Sequence, residues 1–477
     1  MYFKEAIYCN KKTKIICTIG PSSRDKKILR RLTISGMNCA RLNLSHGNYK
    51  DHAVVIKNIR EIEKQLTIPI GIILDLQGPR IRIGELTSPM YLEKGKEVIL
   101  TTEDKKTKDK ITITYNNLHN DIKVGEEIFL CEGRIKLRVS KVIERDVYCR
   151  VKRGGIVLSH KSVNLPFTAL SIPSLTEKDE NDLQFGIKSG VDFIAASFVR
   201  SSHDIITIRE KLRQKNAHIH IIAKIEKPEA IVDIDAIIEY SDAIMIARGD
   251  LGVELPLSQV PIIQKNIIKK CIKAGKPVIV ATQMLESMVE NAFPTRAEAA
   301  DVANALMDGT SAVMLSEETA VGKNPVEAVM VMSKILIEVE STISLKKNGK
   351  HGNSNGYVID SAIAHASVTM AEDMKVKAIV PFTLKGRTVM LISKFRPKPL
   401  IVALTPSSTT YHKMTLYWNV FPVLTYEAKN LEDMFAMAEK EIKNMSIIRS
   451  GEVFVIVAGI PVGVPGITNL IKLRQLN

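Results

Sequence analysis

The sequence has few of the features that mark secreted, membrane-bound or disulfide-linked proteins. Only six cysteines occur in 477 residues, and no two of them form a CxxC pair. Scattered cysteines are typical of reduced thiols in a cytoplasmic protein and argue against a zinc site. No apolar run approaches the roughly 18–20 residues of a membrane span, and the first residues lack the apolar stretch of a secretory signal. We therefore expect a cytoplasmic location and no membrane association.

Aromatic residues are also scarce, and acidic residues are fewer than basic ones. Aromatics make up 5% of the chain, with Trp418 the single tryptophan, and 67 Lys and Arg against 52 Asp and Glu give a net charge of +15. Such an excess can indicate a nucleic-acid partner. The lysines are spread along the chain, however, and no basic–aromatic stripe is visible. We expect a basic cleft for phosphorylated small molecules, no nucleic-acid partner, and Trp418 in a core or an interface.

Eight short apolar segments recur along the first two thirds of the chain, and helix-like stretches lie between most of them. They are rich in Val, Ile, Leu and Ala, which is typical of parallel strands buried on both faces. The segments are residues 13–20, 38–43, 69–76, 191–198, 220–226, 243–250, 276–283 and 311–318. Eight strands alternating with helices predict an α/β fold of the (β/α)8 TIM-barrel type, with a doubly wound open sheet as the alternative.

Two segments lack this alternation of strands and helices, and they divide the chain into domains. Residues 77–163 have alternating strand patterns and polar turns, which predicts an inserted all-β domain that acts as a lid. Residues 346–356, KKNGKHGNSNG, form a polar linker before a second α/β pattern, whose predicted strands are KAIVPFT, PLIVALT, NVFPVLT and EVFVIVAG. The predicted division is listed by residue number: barrel 1–76, lid 77–163, barrel 164–345 and C-terminal α/β domain 346–477.

Polar residues stand at the carboxyl ends of seven of the eight predicted strands. Barrel enzymes place their chemistry at these ends. The residues are Arg41, Asn43, Ser45, His46, Asp75, Ser197, Lys224, Glu226, Arg248, Asp250, Thr282, Gln283, Ser316 and Glu318. Taken singly, Lys224 and Glu226 could form a structural ion pair, and Asp250 could be a turn residue. Their shared position at one rim favours a functional site.

The residue types at this rim indicate phosphoryl transfer. Glu226 and Asp250 have no nearby His or Cys ligands, and such a carboxylate pair suits Mg²⁺, which completes its shell with water and substrate oxygens. The arginines and Lys224 around them favour a substrate that carries phosphate. No Ser–His–Asp or Cys–His arrangement is apparent. Positioning and charge neutralisation are therefore the chemistry that we infer.

Five stretches of the sequence resemble the pyruvate kinase family. They are GMNCARLNLSHG, IAKIEKPEA, MIARGDLGVELP, the run from ATQMLESM to PTRAEAADVANALMDGT, and VMLSEETA. These motifs occur in the family's order, and the resemblance covers nearly the whole chain, including the lid and the C-terminal domain. It implies transfer of the phosphoryl group of phosphoenolpyruvate to ADP, which gives pyruvate and ATP, by a homotetramer.

The resemblance also implies roles for individual residues. Glu226 and Asp250 match the ligands of Mg²⁺, for which Mn²⁺ can substitute, and Lys224 matches the lysine beside the phosphoryl group in transfer. Thr282 matches the residue that supports protonation of the enolate carbon, and Arg41 matches a contact to the transferring phosphate. The substrate-binding positions are matched by Arg41, Ser197, Lys224, Gly249, Asp250 and Thr282. The nucleotide-binding positions are matched by Asn43, His46, Arg82 and Lys161.

The resemblance bears on potassium as well. Most of the family binds K⁺ beside the substrate phosphate, through ligands that match Asn43, Ser45, Asp75 and the backbone carbonyl of Leu76. A nearby glutamate of the family is replaced by Arg80 here, and members with a lysine at that place tend not to need K⁺. We expect that K⁺ is not required, because a fixed guanidinium can supply the positive charge.

A turn in the C-terminal domain, TLKGRT, resembles the family's effector loop. It would bind the phosphate of a sugar-phosphate or nucleotide effector at a helix N-terminus, although an ordinary turn is the alternative. Its residues are Thr383, Lys385, Gly386, Arg387 and Thr388.

Two other functions remain open from the residues themselves. A Mg²⁺-dependent lyase or aldolase on a related barrel would share the Glu226 and Asp250 pair, but it would not need the lid or Lys161. A non-catalytic sugar-phosphate sensor would not need the full set of rim residues.

Overall fold

The barrel begins at the first described residues of the chain. The computed structural model describes residues 11–103, 110–166, 168, 170–342, 359–464 and 466–476. The first barrel elements are β1 (Lys14–Thr18), α1 (Lys26–Ser35), β2 (Cys39–Asn43), α2 (Tyr49–Leu66) and β3 (Gly71–Asp75). Helix α1 begins after Asp25, whose carboxylate accepts N–H bonds from the first turn. It ends at Gly36, where φ is 122°, a value that glycine adopts without side-chain strain.

The lid leaves the barrel after β3. Its elements are β4 (Met90–Leu92), β5 (Glu97–Thr101), β6 (Lys110–Thr112), α3 (Leu118–Asp121), β7 (Glu127–Leu130), β8 (Ile135–Ile143), β9 (Asp146–Arg153), β10 (Gly155–Val157) and β11 (Val163–Asn164). Six strands pair in the order β11-β7-β8-β9-β5-β6, and β4 pairs with β10. Buried and solvated positions alternate along β8, as expected for a sheet with one face on a core. The lid core extends from Ile81 to Leu165.

The barrel resumes after the lid and closes. Its elements are α4 (Glu177–Ser189), β12 (Phe193–Ala196), α5 (Ser202–Gln214), β13 (His220–Ile225), α6 (Pro228–Val232), α7 (Ile234–Tyr240), β14 (Ala243–Ala247), α8 (Arg248–Glu254), α9 (Val260–Ala274), β15 (Val278–Ala281), a 3₁₀ helix (Glu286–Val289), α10 (Arg296–Met307), β16 (Ala312–Leu315), α11 (Glu317–Ala320) and α12 (Pro325–Thr342). Eight parallel strands close in the order β1-β16-β15-β14-β13-β12-β3-β2. The predicted (β/α)8 barrel is confirmed, and the open-sheet alternative is wrong.

The C-terminal domain is a separate α/β sheet. Its elements are α13 (Ile359–Asp373), β17 (Ala378–Pro381), α14 (Arg387–Lys394), β18 (Leu400–Thr405), α15 (Ser408–Lys413), a 3₁₀ helix (Met414–Leu416), β19 (Val420–Leu424), α16 (Leu431–Met445), β20 (Val453–Ala458) and β21 (Leu470–Gln475). The sheet order is β19-β18-β17-β20-β21, and only the unpredicted β21 is antiparallel to its neighbour. The predicted linker, residues 346–356, lies outside the described residues.

The C-terminal domain is attached to the floor of the barrel, at the amino ends of its strands. Leu416 is fully buried in the cluster that fills the barrel interior, together with Phe193. The His412 ring lies 3.0 Å from Glu63 of the barrel helix α2. Trp418 is buried, with the guanidinium of Arg396 4.7 Å and the ammonium of Lys12 5.5 Å from its ring centroid, in agreement with the prediction of a core or interface position. Within the described part of the chain, every helix is too short or too polar to cross a bilayer.

Candidate active site

Four charged side chains meet at the carboxyl ends of β2, β3 and β13. Asp75, which is 1% exposed, accepts a bond from Arg41 Nε at 2.6 Å and another from Lys224 Nζ at 3.2 Å. Lys224 Nζ also lies 2.9 Å from Glu226 Oε1. Buried charges require such mutual compensation, because water no longer solvates them. The structure therefore brings Lys224 and Glu226 together at the rim.

The cluster keeps Lys224 protonated and Asp75 ionised. Burial favours the neutral form of Lys224, but the carboxylates of Asp75 and Glu226 outweigh burial and hold the lysine pKa above its usual value. Burial likewise disfavours the Asp75 carboxylate, but Lys224 and Arg41 outweigh it and lower the Asp75 pKa. Lys224 thus carries a fixed positive charge in a pocket with little water.

Asp250 lies in the first turn of α8, within electrostatic reach of this cluster. Burial and the nearby carboxylate of Glu226 raise the pKa of Asp250 to about 6. A divalent cation relieves the repulsion between two such carboxylates. The described residues contain no group of three or more His, Cys, Asp or Glu side chains suited to a metal ion. Glu226 and Asp250 fit a hard cation that takes its remaining ligands from substrate and water.

Two hydroxyl groups complete the rim. Ser197 Oγ accepts a bond from Lys224 Nζ at 2.6 Å, which fixes the ammonium group. Thr282 Oγ1 accepts the N–H of Gly249 at 2.8 Å and donates to the carbonyl of Ala281 at 2.6 Å. A side chain added at Gly249 would bring its Cβ within 3.4 Å of Thr282 Oγ1. Thr282 and the start of α8 are therefore closely packed against each other.

The residues matched to potassium ligands lie near one another. Asn43 and Asp75 face each other on the neighbouring strands β2 and β3, and Asn43 Oδ1 accepts the N–H of Ser45 at 3.1 Å. The buried Ser45 Oγ has no hydrogen-bond partner among the described residues. The carbonyl of Leu76 already accepts a bond from Ser197 Oγ at 2.7 Å.

A cleft of about 820 Å³ opens above the cluster, between the barrel rim and the lid. Its charged lining consists of six cations and three carboxylates, so it attracts polyphosphates. The charged residues are Arg80, Arg82, Arg134, Lys161, Arg200, Lys227, Glu132, Asp250 and Glu317. The four predicted nucleotide-side residues, Asn43, His46, Arg82 and Lys161, all line this cleft.

Arg80 lines the cleft and forms no ion pair with any carboxylate in the described ranges, Asp75 included. Its charge lies within electrostatic reach of Asp250. Partial burial and the charges of Arg80 and Arg82 lower the pKa of His46. Arg82 is held in place by a 2.7 Å bond from Nη1 to the carbonyl of His160 in the lid.

A second cavity, of about 130 Å³, lies in the C-terminal domain. It is lined by four of the five predicted effector residues, Thr383, Lys385, Arg387 and Thr388. The fifth, Gly386, has φ 81° and donates its N–H to Thr383 Oγ1 at 2.8 Å, immediately before α14. The TLKGRT segment is therefore a strand-to-helix turn, in which Arg387 pairs with Asp360 at 3.1 Å and the Thr388 hydroxyl bonds to that of Thr468 at 2.7 Å.

Comparisons with known proteins agree with these features. The family described as pyruvate kinase, barrel domain, matches residues 10–329, and the pyruvate kinase alpha/beta domain matches residues 361–474. The chain belongs to the pyruvate kinase family. Pyruvate kinases of Staphylococcus haemolyticus (strain JCSC1435) and Bacillus licheniformis are 44% and 45% identical to it, over 97% of this chain and 80% of each relative. A crystal structure of a pyruvate kinase from Cryptosporidium parvum gives a TM-score of 0.92 at 35% identity, over 99% of this chain and 97% of that one.

Family membership establishes the reaction. The chain is a phosphotransferase that converts phosphoenolpyruvate and ADP to pyruvate and ATP in glycolysis, a reaction for which the family generally requires a divalent metal ion. The predicted function is confirmed, and the lyase and sensor alternatives are wrong.

Sequence reasoning missed one connection beside the site. Lys227 lines the cleft and donates to Glu254 at 2.7 Å, and Glu254 also accepts a bond from Asn164 at the end of the lid, at 2.8 Å. If the strand continued past Ile225, alternation would turn the Lys227 side chain away from the face that carries Glu226. The strand ends at Ile225, however, so alternation no longer applies at Lys227.

One predicted rim residue has a different role. Glu318 is buried and accepts backbone N–H bonds from Leu285 and Ser316, at 3.1 and 2.6 Å. It joins the loops after β15 and β16 through these bonds. The sequence pattern located it at the correct end of the barrel but could not give its orientation.

Proposed function

We propose that Lys224 and Arg41 stabilise the phosphoryl group as it passes from phosphoenolpyruvate to ADP. The observation that carries this proposal is the buried ammonium of Lys224, 2.9 Å from Glu226 and within 3.2 Å of Asp75. Preorganised charge in a pocket with little water stabilises negative charge as it spreads over the transferring group. Arg41, fixed by Asp75, supplies the second cation.

Glu226 and Asp250 are the proposed ligands of Mg²⁺, or of Mn²⁺ in its place. The raised pKa of Asp250 supports this role, because burial beside the Glu226 carboxylate makes an added positive charge favourable there. When bound, the metal ion would neutralise charge on substrate oxygens. The residues themselves would hold the substrate: Ser197 orients Lys224, and the N–H of Gly249 fixes the Thr282 hydroxyl.

The proposed chemistry conserves charge and atoms. The bond between phosphorus and the enol oxygen breaks, a bond from phosphorus to the terminal oxygen of ADP forms, and the methylene carbon of the enolate takes one proton. Thr282 supports that protonation, because its hydroxyl is held at the start of α8 beside Gly249 and Asp250. The proton comes ultimately from solvent.

The cleft is the proposed nucleotide site. Asn43, His46, Arg82 and Lys161 line it from the barrel and the lid, so they can contact the phosphates of ADP. Closure of the lid over this cleft would exclude water and strengthen each charge interaction.

Potassium is not required in the proposed mechanism. The guanidinium of Arg80 supplies a positive charge in the same cleft, and like charges close together in a low-dielectric site disfavour each other. The ligand positions Asn43, Ser45, Asp75 and Leu76 remain, but Asp75 is already engaged by Arg41 and Lys224.

The remaining proposals concern regulation and assembly. The cavity at Thr383, Lys385, Gly386, Arg387 and Thr388 would bind the phosphate of a sugar phosphate or a nucleotide. A homotetramer is supported by large apolar side chains that one chain leaves uncovered. These are Leu257, Ile262 and Phe293, which are 76, 63 and 78% exposed. The glycolytic reaction favours a cytoplasmic location.

The proposed domain division at residues 76, 163 and 345 is supported at its first boundary, whereas the boundary at 163 falls inside strand β11 (Val163–Asn164), two residues before the lid core ends. Strand β3 ends at Asp75, and the lid core begins at Ile81 and ends at Leu165. The boundary at 345 lies outside the described residues.

A coupled assay tests the proposed chemistry. Purified chain with phosphoenolpyruvate and ADP should give pyruvate and ATP in equal amounts, only when Mg²⁺ or Mn²⁺ is present. Pyruvate released without ATP, or a rate unchanged by a chelator, would contradict it.

A further inference from the structure

The Arg248 side chain connects three parts of the barrel: helix α8, helix α10 and the loop after β15. Arg248 is the first residue of α8, and its side chain is 12% exposed. Its Nη2 donates to the backbone carbonyls of Thr282 and Gln283, at 2.8 and 3.3 Å, in the loop after β15. Its Nη1 donates to Asp301 Oδ2 of α10 at 2.5 Å.

The loop that Arg248 holds has an unfavourable backbone conformation. Thr282 and Gln283 have φ values of 69° and 55°, in the left-handed region that residues with side chains rarely adopt. Two such residues in succession persist only where the surroundings fix them. Arg248 binds both of their carbonyl groups, and the N–H of Gly249 binds the Thr282 hydroxyl from the other side at 2.8 Å.

We propose that Arg248 is a positioning residue for the proton-transfer half of the reaction. By holding the carbonyls of Thr282 and Gln283, it keeps the Thr282 hydroxyl at the place where the enolate carbon is protonated. This inference rests on the proposed role of Thr282. Protonation converts the methylene carbon of the enolate to the methyl group of pyruvate, with one proton taken from solvent and one C–H bond formed.

The geometry separates this role from phosphoryl transfer. Within the described part of the chain, the hydrogen bonds of the Arg248 side chain reach Thr282, Gln283, Met284 and Asp301, and none reaches Lys224 or Glu226. A lysine at this position would keep the charge. It lacks the planar fork that binds Asp301 and the two carbonyls together.

The test compares two partial reactions in Arg248→Lys and in the unaltered enzyme. Exchange of the pyruvate methyl protons for solvent deuterium is followed by NMR, with Mg²⁺ and with inorganic phosphate in place of the nucleotide, so that no phosphoryl group is transferred. Phosphoryl transfer from phosphoenolpyruvate to ADP is followed in a single turnover. Exchange should fall at least about tenfold, because small misplacements of a catalytic group have large effects on rate. Phosphoryl transfer should change by less than about threefold.

Arg209→Lys is the matched control. Arg209 also bridges a carbonyl and a carboxylate, those of Tyr240 and Asp242 at 2.8 and 2.9 Å, but it lies at the barrel floor. Its replacement should change neither partial reaction. An equal loss of both reactions in Arg248→Lys would overturn the proposal, because a purely structural role predicts that result.

Two further variants distinguish a wrong role for Thr282 from a wrong role for Arg248. If Thr282→Ala leaves proton exchange unchanged, the proposed role of Thr282 is wrong, and the inference about Arg248 is wrong with it. If Thr282→Ala slows exchange and Arg248→Lys does not, only the positioning role is wrong. Should Arg248→Lys fail to fold, Asp301→Asn weakens the anchor of the same guanidinium, and it should also slow exchange more than phosphoryl transfer. Equal slowing of both would again overturn the proposal.

Discussion

Asp75 joins the two cations of the proposed phosphoryl site. Its carboxylate accepts bonds from both Arg41 and Lys224. That arrangement depends on the order of the strands around the barrel, in which β3 stands between β2 and β12. The end of a barrel strand predicts a place at the active rim, but not which charges pair within it.

Arg80 gives a residue-scale prediction about potassium. Omitting K⁺ from a buffer free of Na⁺ and NH₄⁺, at saturating Mg²⁺ and substrates, should leave the initial rate nearly unchanged, because the guanidinium already lies in the cleft. Arg80→Glu should make the enzyme depend on K⁺. The control Arg138→Glu, at a lid arginine bonded to the carbonyl of Gly125, should remain independent of K⁺.

Two outcomes would count against the role of Arg80. A loss of roughly 100-fold on omission of K⁺, about 2.7 kcal/mol, would show that Arg80 does not replace the ion. Independence that persists in Arg80→Glu would leave the proposed cause unsupported.

The carboxylates of Glu226 and Asp250 give a prediction about metal affinity. Glu226→Gln and Asp250→Asn should each raise the Mn²⁺ concentration for half-saturation by at least about tenfold, since each removes a charged oxygen ligand. Binding is measured by electron paramagnetic resonance of free Mn²⁺, alongside the Mg²⁺ dependence of the rate. Asp235→Asn, at an exposed pair with Lys270, is the control. Unchanged titrations in both variants would exclude these residues as ligands.

At the scale of elements, the barrel strands were the most predictable part of the chain. Each is buried along its whole length or nearly so, and this gives the continuous apolar runs of the sequence. Strand β21 was missed because it lies at the sheet edge and its residues, LIKLRQ, are only partly buried. Apolar runs predict strands well where the residues are buried, as in β19 at the opposite edge, and poorly where charged and apolar residues mix, as in β21.

The turn before α14 gives a prediction about regulation. Thr383→Ala combined with Thr388→Ala should abolish activation by sugar phosphates or nucleoside monophosphates and leave maximal activity unchanged, because the cavity lies in a different domain from the cleft. Activation is measured as the rate at low phosphoenolpyruvate against effector concentration. Thr369→Ala, on the exposed side of α13, is the control. Persistent activation in the double variant, or a broad screen without any activator, would contradict the proposal.

At the scale of the whole molecule, the sequence could not show how the domains attach. Residues 412–416 follow an ordinary helical pattern, yet they lie against the barrel floor. Thr415 Oγ1 is 3.3 Å from the sulfur of Cys39, and Leu416 is fully buried in the barrel interior. These contacts join positions more than 370 residues apart. No local pattern carries such information, so this contact could not be predicted.

Leu416 provides a test of this attachment. Leu416→Ala should lower the free energy of unfolding by about 2–5 kcal/mol, because it leaves a cavity in a closed core. It should also separate a single calorimetric transition into two, for barrel and C-terminal domain. Leu424→Ala, at a residue that is 51% exposed, should have little effect. Coincident transitions in Leu416→Ala, with unchanged stability, would contradict a structural role for the contact.

The buried ammonium of Lys224 is proposed to stabilise the phosphoryl group during transfer, and Lys224→Met tests this claim. Single-turnover formation of ATP from bound phosphoenolpyruvate and ADP should fall at least ~10³-fold, about 4 kcal/mol, because this charge acts mainly in the transition state. Binding of phosphoenolpyruvate should remain largely intact. A variant with near-normal kcat and only a raised KM would contradict the claim.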